Sequence, residues 1–197
     1  MENCINNIEE TECKVSISTK ILQSPIKFAK TVNPLSTPSA THICDIESKE
    51  ECYITKFKGV LEQLSNANKL VGRSFRYNLG YSNLAFELWI ILHKSNCNGS
   101  FTNRTQYLAP INRVFNEKFE SLKEYKQKDN FKRCLSKISF DDVKNAICRA
   151  NKIMKSNAEN GLKENQYKGF TYYSDNPSLT INKAVEKILK DCNLINL

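Results

Sequence analysis

Apolar side chains recur at the spacing of a helix face in four segments of the chain. Within each segment the apolar residues recur every three or four positions, with some adjacent pairs. This is the pattern of one face of an amphipathic helix. The four stripes are Tyr53, Ile54, Phe57, Val60, Leu61 and Leu64; Ile111, Val114, Phe115, Phe119, Leu122 and Tyr125; Val143, Ala146, Ile147, Ala150, Ile153 and Met154; and Ile181, Ala184, Val185, Ile188, Leu189 and Cys192. We therefore predict four amphipathic helices.

The most apolar segment of the chain follows Ser82 and ends at Leu92. A helix that is apolar on most of its circumference belongs at the centre of a bundle. A buried strand is the alternative, because a short apolar run does not distinguish the two by its period. We predict that residues 82–92 form the central helix and that Trp89 is buried in the core.

Three sequence signals predict where helices begin. Ser48-Lys-Glu-Glu51 and Ser139-Phe-Asp-Asp142 have the spacing of a capping box. In such a box the serine side chain and an acidic side chain three residues on each accept a hydrogen bond from the other residue's backbone N–H. Pro110 suits a first helical position, where the N–H that proline lacks has no partner in any case.

A loop separates an N-terminal arm from the main body. The stretch Asn33–Thr41 holds two prolines and four serines or threonines, a composition typical of loops. We predict residues 1–40 as an arm and linker, and residues 41–197 as one helical domain. Lys14–Ser18 and Gly169–Tyr173 are candidates for short strands.

Glycine is scarce, with 6 residues in 197, where about 7% is usual. Hairpin turns consume glycine, so this scarcity favours helices joined by short polar links. The predicted fold is mainly α: a disulfide-stapled bundle of about five main helices, with room for a short strand or two.

Eight cysteines are spread along the chain, and no two of them form a Cys-x-x-Cys pair. They are Cys4, Cys13, Cys44, Cys52, Cys97, Cys134, Cys148 and Cys192. An even number of widely spaced cysteines favours disulfides over a compact metal site. Because eight cysteines allow about 105 pairings, we assign none. Reduced thiols that pack as small hydrophobic side chains are the alternative.

The cysteines and the N-terminus favour different cellular locations. Disulfides persist in oxidising compartments, which predicts secretion. Residues 1–10 carry acidic side chains and lack the apolar stretch of a signal peptide. We expect a secreted protein in its mature form, and an intracellular protein is the alternative.

The chain carries a formal net charge of +8, which favours anionic partners. Basic residues concentrate at Lys126, Lys128, Lys132, Arg133 and Lys137. Such a cluster with nearby aromatic residues suits a nucleic-acid contact, and a solvated helix surface is the alternative. No run of 18 apolar residues exists, so we expect no membrane insertion.

Neither a catalytic constellation nor a cofactor motif stands out. A zinc site built from His42, Cys44, Cys52, His93 and Cys97 is conceivable, but these spacings match no established zinc motif, and we predict no metal, cofactor or catalytic residue. Asn98-Gly-Ser100 and Asn103-Arg-Thr105 are glycosylation sequons. Two sequons carry little weight in a chain rich in asparagine, serine and threonine, and they make Asn98 and Asn103 candidate sites only if the protein is secreted.

Several segments resemble, in order, the adenine-N6 DNA methyltransferases of phages and bacteria. Asn33-Pro34-Leu35 with Ser39-Ala40 resembles the family's cofactor loop, and Asp45-Ile46 resembles its ribose-binding acidic residue and the residue that follows. Asn98-Gly99 with Pro110 and Arg113 resembles its substrate-strand motif. Tyr173-Ser-Asp175-Asn176-Pro177 resembles its catalytic motif. The chain lacks the loop glycines and the Pro-Pro-Tyr of that family. The resemblance therefore implies a catalytically dead relative.

Small, basic, helical and cysteine-rich chains also resemble the secreted effectors of parasites and plant-feeding insects. We predict from the sequence an effector-type protein that binds a host or partner macromolecule and catalyses no reaction. The alternative is an intracellular nucleic-acid-binding protein, or the dead methyltransferase relative, with residues 126–137 as the contact.

Overall fold

A parallel strand–helix–strand unit begins the fold. The computed structural model describes residues 38–72 and 74–195. Strand β1 (Ser39–Asp45) is followed by helix α1 (Glu51–Val71) and strand β2 (Arg76–Asn83). β1 and β2 are parallel and pair along the whole of β1. Parallel neighbours need a crossover segment, and α1 provides it.

The remaining elements surround this unit. They are α2 (Glu87–Leu92), a 3₁₀ helix (Arg104–Tyr107), α3 (Leu108–Phe115), α4 (Leu122–Tyr125), α5 (Lys128–Leu135), α6 (Phe140–Glu159), β3 (Glu164–Tyr167), β4 (Phe170–Tyr173), β5 (Ser178–Leu179) and α7 (Ile181–Asp191). β5 pairs antiparallel with the end of β2, which gives a sheet of order β1-β2-β5. β3 and β4 form a separate antiparallel hairpin.

The predicted mainly α, disulfide-stapled bundle is wrong, because the described chain is a mixed α/β fold with two sheets. The low glycine content wrongly favoured an α fold, because most of these strands are joined by helices and coil rather than by hairpin turns, which need glycine. The one hairpin does use glycine, since Gly169 lies in its turn with φ +86°, a backbone conformation that other residues rarely adopt.

Three of the four amphipathic helices are confirmed. α1 and α6 bury or half-bury the predicted stripes, with Phe57 and Ile147 among their buried residues. α7 buries Ile181 and Leu189 of its stripe, whereas Ile188 is 60% exposed and Cys192 is also exposed. The predicted helix after Pro110 is shorter than expected: it ends at Phe115, because Asn116 adopts a left-handed conformation with φ 52°. Residues 126–137, where the basic side chains concentrate, contain the helix α5.

The predicted central helix over residues 82–92 is only partly correct. Ser82 and Asn83 belong to β2, and the helix itself runs from Glu87 to Leu92. Trp89 is buried as predicted, with 5% of its surface exposed. It lies in the main hydrophobic core, which α2 forms with residues of α3, α6 and α7.

The helix-start signals succeed at one position and fail at two. Ser139 and Asp142 form the predicted capping box at the start of α6. At α1 the N-cap is Glu50, and no side chain caps the helix. The Ser48 hydroxyl instead accepts a hydrogen bond from Glu50 N–H, so the serine lies too early for its capping role. Pro110 is the third residue of α3 rather than the first.

The boundary of the main body differs slightly from the prediction. β1 includes Ser39, Ala40 and Thr41, which the sequence had suggested were loop. The predicted arm, with Lys14–Ser18, Cys4 and Cys13, lies outside the described residues. Among the residues described, no helix combines the length and apolar character needed to cross a bilayer.

Candidate binding site at the open edge of β1

A pocket of about 740 Å³ runs along the side of β1 that faces away from β2. We call it the slot. Its volume falls in the range of about 300–1,000 Å³ that is usual for ligand sites. Six consecutive residues of β1 and its extension, His42 to Glu47, line the slot.

Helix α1 forms one wall of the slot and residues from three other segments form the opposite wall. The α1 wall is lined by Tyr53, Lys56, Phe57, Gly59, Val60 and Gln63. The opposite wall is lined by Phe86, Arg104 and Lys126. Because both faces of β1 contribute, the slot straddles the edge of the strand rather than lying on one face of the sheet.

The backbone groups of alternate β1 residues face the slot. Pro38 C=O accepts from Arg76 N–H, and Ile46 N–H donates to Ser82 C=O, so even-numbered residues of β1 bond to β2. In a parallel pair the intervening residues direct both N–H and C=O to the other side. The groups of Thr41, Ile43 and Asp45 therefore form what we call the open edge. Within residues 38–72 and 74–195, β1 has no strand on that side.

The side chains of β1 alternate between two environments. Cys44 and Ile46 pack with α1, so the even-numbered side chains share that face. Ile43 and Asp45 lie on the other face. Ile43 is 44% exposed although it is apolar and lies within a strand, and it thus presents apolar surface beside the open edge.

A carboxylate pair lies at the carboxyl end of β1. Asp45 is partly buried and its pKa is raised to about 7, mainly by desolvation, with the negative charge of Glu87 adding to the shift. The Phe86 N–H hydrogen-bonds to the Asp45 carboxylate and opposes the rise in its pKa. The carboxyl ends of parallel strands are where ligands usually bind in α/β sheets.

Glu87 is the most deeply buried charge near the slot, with 3% of its side chain exposed. Its Oε1 accepts from Lys126 Nζ at 2.9 Å, while its Oε2 is buried and has no hydrogen-bond partner among the described residues. The Glu47 carboxylate also lies at this end of the slot, with its Oε1 4.0 Å from Arg104 Nη1. Asp45 and Glu47 thus line this end of the slot together with Arg104 and Lys126, and Glu87 is buried as the partner of Lys126.

His42 lines the other end of the slot. Burial lowers its pKa, so the imidazole is neutral at neutral pH. Its Nε2 is buried and has no hydrogen-bond partner in the part of the chain that the structure describes. The slot therefore has a neutral polar end and an acidic end.

The structure does not assemble the predicted basic cluster into one free cationic surface. Lys126 pairs with Glu87. Arg133 Nη2 lies 2.9 Å from Oε2 of Glu117, and Lys137 Nζ lies 2.7 Å from Oε1 of the same carboxylate. These two cations hold the pKa of Glu117 down at about 2. Lys128 and Lys132 are exposed on α5. Only Lys126 of the five reaches the slot.

No two of the six described cysteines are bonded to each other, which corrects the predicted staples within this part of the chain. Cys97 and Cys134 are buried, and burial raises the pKa of both thiols, as expected for small hydrophobic side chains. Cys148 and Cys192 are exposed on α6 and after α7. The expectation of secretion depended on these staples and loses that support.

The other predicted site residues remain apart. Within the described chain, no group of three or more histidine, cysteine or acidic side chains could hold a metal ion, so the conceivable zinc ligands do not converge. Asn98 and Asn103 are exposed, and the Asn103 side chain caps the 3₁₀ helix by accepting from Thr105 N–H.

The carboxylates of the slot were largely missed from the sequence. Asp45 stands out only through the methyltransferase resemblance, and Glu87 was not predicted as a site residue. A signal for Glu87 was present, because it is the single charged residue between Leu84 and Leu92. A lone charge in an apolar run is worth attention, since buried charges need partners.

Comparison with known proteins identifies one family. A family model described as RloB-like protein matches residues 4–188, which is nearly the whole chain. No curated protein and no solved structure gave a significant match.

Proposed function

The chain belongs to the RloB-like family, and we propose that it is a binding protein that takes up an extended segment of a partner protein along the open edge of β1. The segment becomes an additional strand of the sheet. Main-chain hydrogen bonds supply affinity in this mode of recognition, and the walls on either side supply specificity. Binding rather than catalysis is the proposed activity.

The observation that carries the proposal is that the slot follows the open edge. Unpaired backbone groups at a strand edge are a template for another strand. Proteins usually protect such edges with lysine, proline or a covering element, yet Ser39 to Cys44 include no charged residue and no proline. The slot leaves space beside these groups, with a wall on each face of the strand.

A polypeptide fits this slot better than a nucleic acid does. Phosphate recognition needs several free cations. Of the three cations that line the slot, Lys126 is paired with Glu87 and Arg104 lies 4.0 Å from Glu47, which leaves Lys56 beside the Tyr53 ring. Asp45 and Glu47 add further carboxylates to the slot. The strand edge also offers alternating N–H and C=O groups, which complement a peptide backbone.

Phage display tests the proposal. A library of random seven-residue peptides is selected on the full-length protein, and the enriched peptides are then measured against Ile43→Pro and Ile43→Val. Proline removes an edge N–H without breaking the β1–β2 ladder, a position where strands tolerate it. Because a hydrogen bond contributes about 0.5–1.5 kcal/mol and the proline ring also obstructs pairing, we expect Ile43→Pro to weaken binding about ten-fold or more. Ile43→Val should bind normally.

The outcome is informative even if one variant folds poorly. Thr41→Pro provides a second edge block, and thermal melting of each variant verifies its fold. Failure to enrich any peptide, or peptides that bind the two proline variants as tightly as the original protein, would show that β1 is not a strand-docking site. Selected nucleic-acid binding that depends on Lys56, Arg104 and Lys126 would also overturn the proposal.

A further inference from the structure

Ile43 and Asp45 share a face of β1 and lie two positions apart. A strand added to the open edge places its own side chains alternately on the two faces, so residues two positions apart on that strand meet Ile43 and Asp45 in turn. The spacing is the same whether the added strand runs parallel or antiparallel to β1. The first of these positions adjoins exposed apolar surface, and the second adjoins a carboxylate.

Among the described residues, no basic side chain forms an ion pair with Asp45, although Arg104 and Lys126 lie at the same end of the slot. Asp45 and Glu87 interact unfavourably with each other, and the single lysine that contacts this pair, Lys126, is bonded to Oε1 of Glu87. Glu87 Oε2 is buried and receives no hydrogen bond from residues 38–72 or 74–195, although a carboxylate oxygen that is removed from water normally has a hydrogen-bond donor. Arg104 Nη1 lies 4.0 Å from Glu47 Oε1, so Arg104 pairs with a carboxylate outside the Asp45–Glu87 pair.

We infer that the slot selects a strand with a lysine or arginine opposite Asp45 and an apolar residue two positions away, opposite Ile43. This inference rests on the proposed function. Opposite charges at cross-strand positions are favourable, and an incoming ammonium or guanidinium group supplies donors that the carboxylate pair lacks. A strand that presents an acidic residue at the same position is rejected by charge repulsion.

The slot supports a cationic side chain better than a metal ion. Two carboxylates, Asp45 and Glu87, form the pair, and no third histidine, cysteine or acidic side chain of the described residues joins them in an arrangement that holds a metal. A lysine or arginine from the strand is positioned by the backbone pairing itself, which brings its side chain to the correct face of the sheet.

The experiment uses the peptides selected by display and a double-mutant cycle. In a selected peptide the basic residue is replaced by norleucine, which keeps the aliphatic length and removes the charge. We expect affinity for the original protein to fall about ten-fold, as for removal of a charge-assisted hydrogen bond of about 1.5–3 kcal/mol. Against Asp45→Asn the same replacement should change affinity less than about two-fold, since the charge partner is gone. Asparagine can still accept from Phe86 N–H, and Glu87→Gln provides a second variant.

The possible failures are distinct. Peptides that depend on the edge, as judged by Ile43→Pro, but show no basic preference would refute the charge selection and leave strand docking intact. Peptides that do not depend on the edge would refute strand docking itself. Tight binding of Mg²⁺ alone that is lost in Asp45→Asn would show that a metal ion, not a side chain, is the missing cation.

Discussion

Asp45 is the residue whose charge state is most sensitive to the surroundings of the slot. Its pKa is raised to about 7, whereas the carboxyl in an unfolded chain titrates near its ordinary value of 3.8. The folded protein therefore binds more protons than the unfolded chain between about pH 4 and pH 7. Stability attributable to this group falls as pH rises through that window.

Replacing Asp45 with asparagine should remove this pH dependence. Near pH 4 the variant and the original protein should be about equally stable, because Asp45 is protonated in the folded state. At pH 8 we expect Asp45→Asn to be more stable by about 1–2 kcal/mol, since no ionised carboxylate is held beside Glu87. Urea unfolding at the two pH values measures the difference, and a variant that is less stable at pH 8 would contradict the assigned environment. Asp191→Asn, at an exposed i,i+4 pair with Lys187, is the control.

At the scale of single residues, the sequence revealed apolar burial better than polar roles. Trp89 was predicted to be buried because its neighbours are apolar, and it is. Asp45 and Glu87 acquire their roles from proximity between β1 and α2, which are separated in sequence by the whole of α1 and β2. Local pattern contains no information about such pairs.

At the scale of elements, long amphipathic helices were predictable, whereas among the described strands only β4 (Phe170–Tyr173) was anticipated, as the candidate strand Gly169–Tyr173. α6 and α7 follow from their stripes and, for α6, from its capping box. β1 has the sequence Ser-Ala-Thr-His-Ile-Cys-Asp, in which no regular alternation of apolar and polar residues appears. Its pairing with β2 comes from the α1 crossover rather than from local preference, because tertiary context overrides weak strand propensity.

The two serine signals predict different effects of mutation. Ser139→Ala should destabilise the protein by about 1 kcal/mol, because it removes the side-chain oxygen that caps α6. Ser48→Ala should cost less than about half of that, since Ser48 does not cap α1 and only accepts from Glu50 N–H at 3.2 Å. Chemical denaturation of both variants measures the contrast. Equal losses of stability in the two variants would show that the capping box at Ser139 does not stabilise α6 more than the Ser48 hydroxyl stabilises α1.

At the scale of the whole molecule, the net charge of +8 suggests more affinity for polyanions than the arrangement of charges supports. Glu117 pairs with two members of the basic cluster and Glu87 pairs with a third. The cations of these pairs are 39–50% exposed, whereas the two carboxylates are only 3% and 11% exposed. The cluster is thus interpreted as a solvated surface with local ion pairs.

This interpretation predicts weak, salt-sensitive binding to nucleic acids. In about 150 mM salt we expect no submicromolar affinity for single- or double-stranded DNA or for RNA, as measured by fluorescence anisotropy. The variant Lys128→Glu with Lys132→Glu should melt at nearly the same temperature as the original protein, because exposed charges contribute little. Submicromolar binding that this double variant abolishes would instead support the nucleic-acid alternative.

Amide hydrogen exchange of β1 tests the central claim most directly. In the free protein, the N–H groups of Ile43 and Asp45 should exchange at least about ten-fold faster than those of Cys44 and Ile46, because only the even-numbered residues donate to β2. A display-selected peptide should slow Ile43 and Asp45 and leave the others nearly unchanged. Equal protection of odd and even residues without peptide, or no change at Ile43 and Asp45 with saturating peptide, would contradict the account of β1 as an open edge that receives a partner strand.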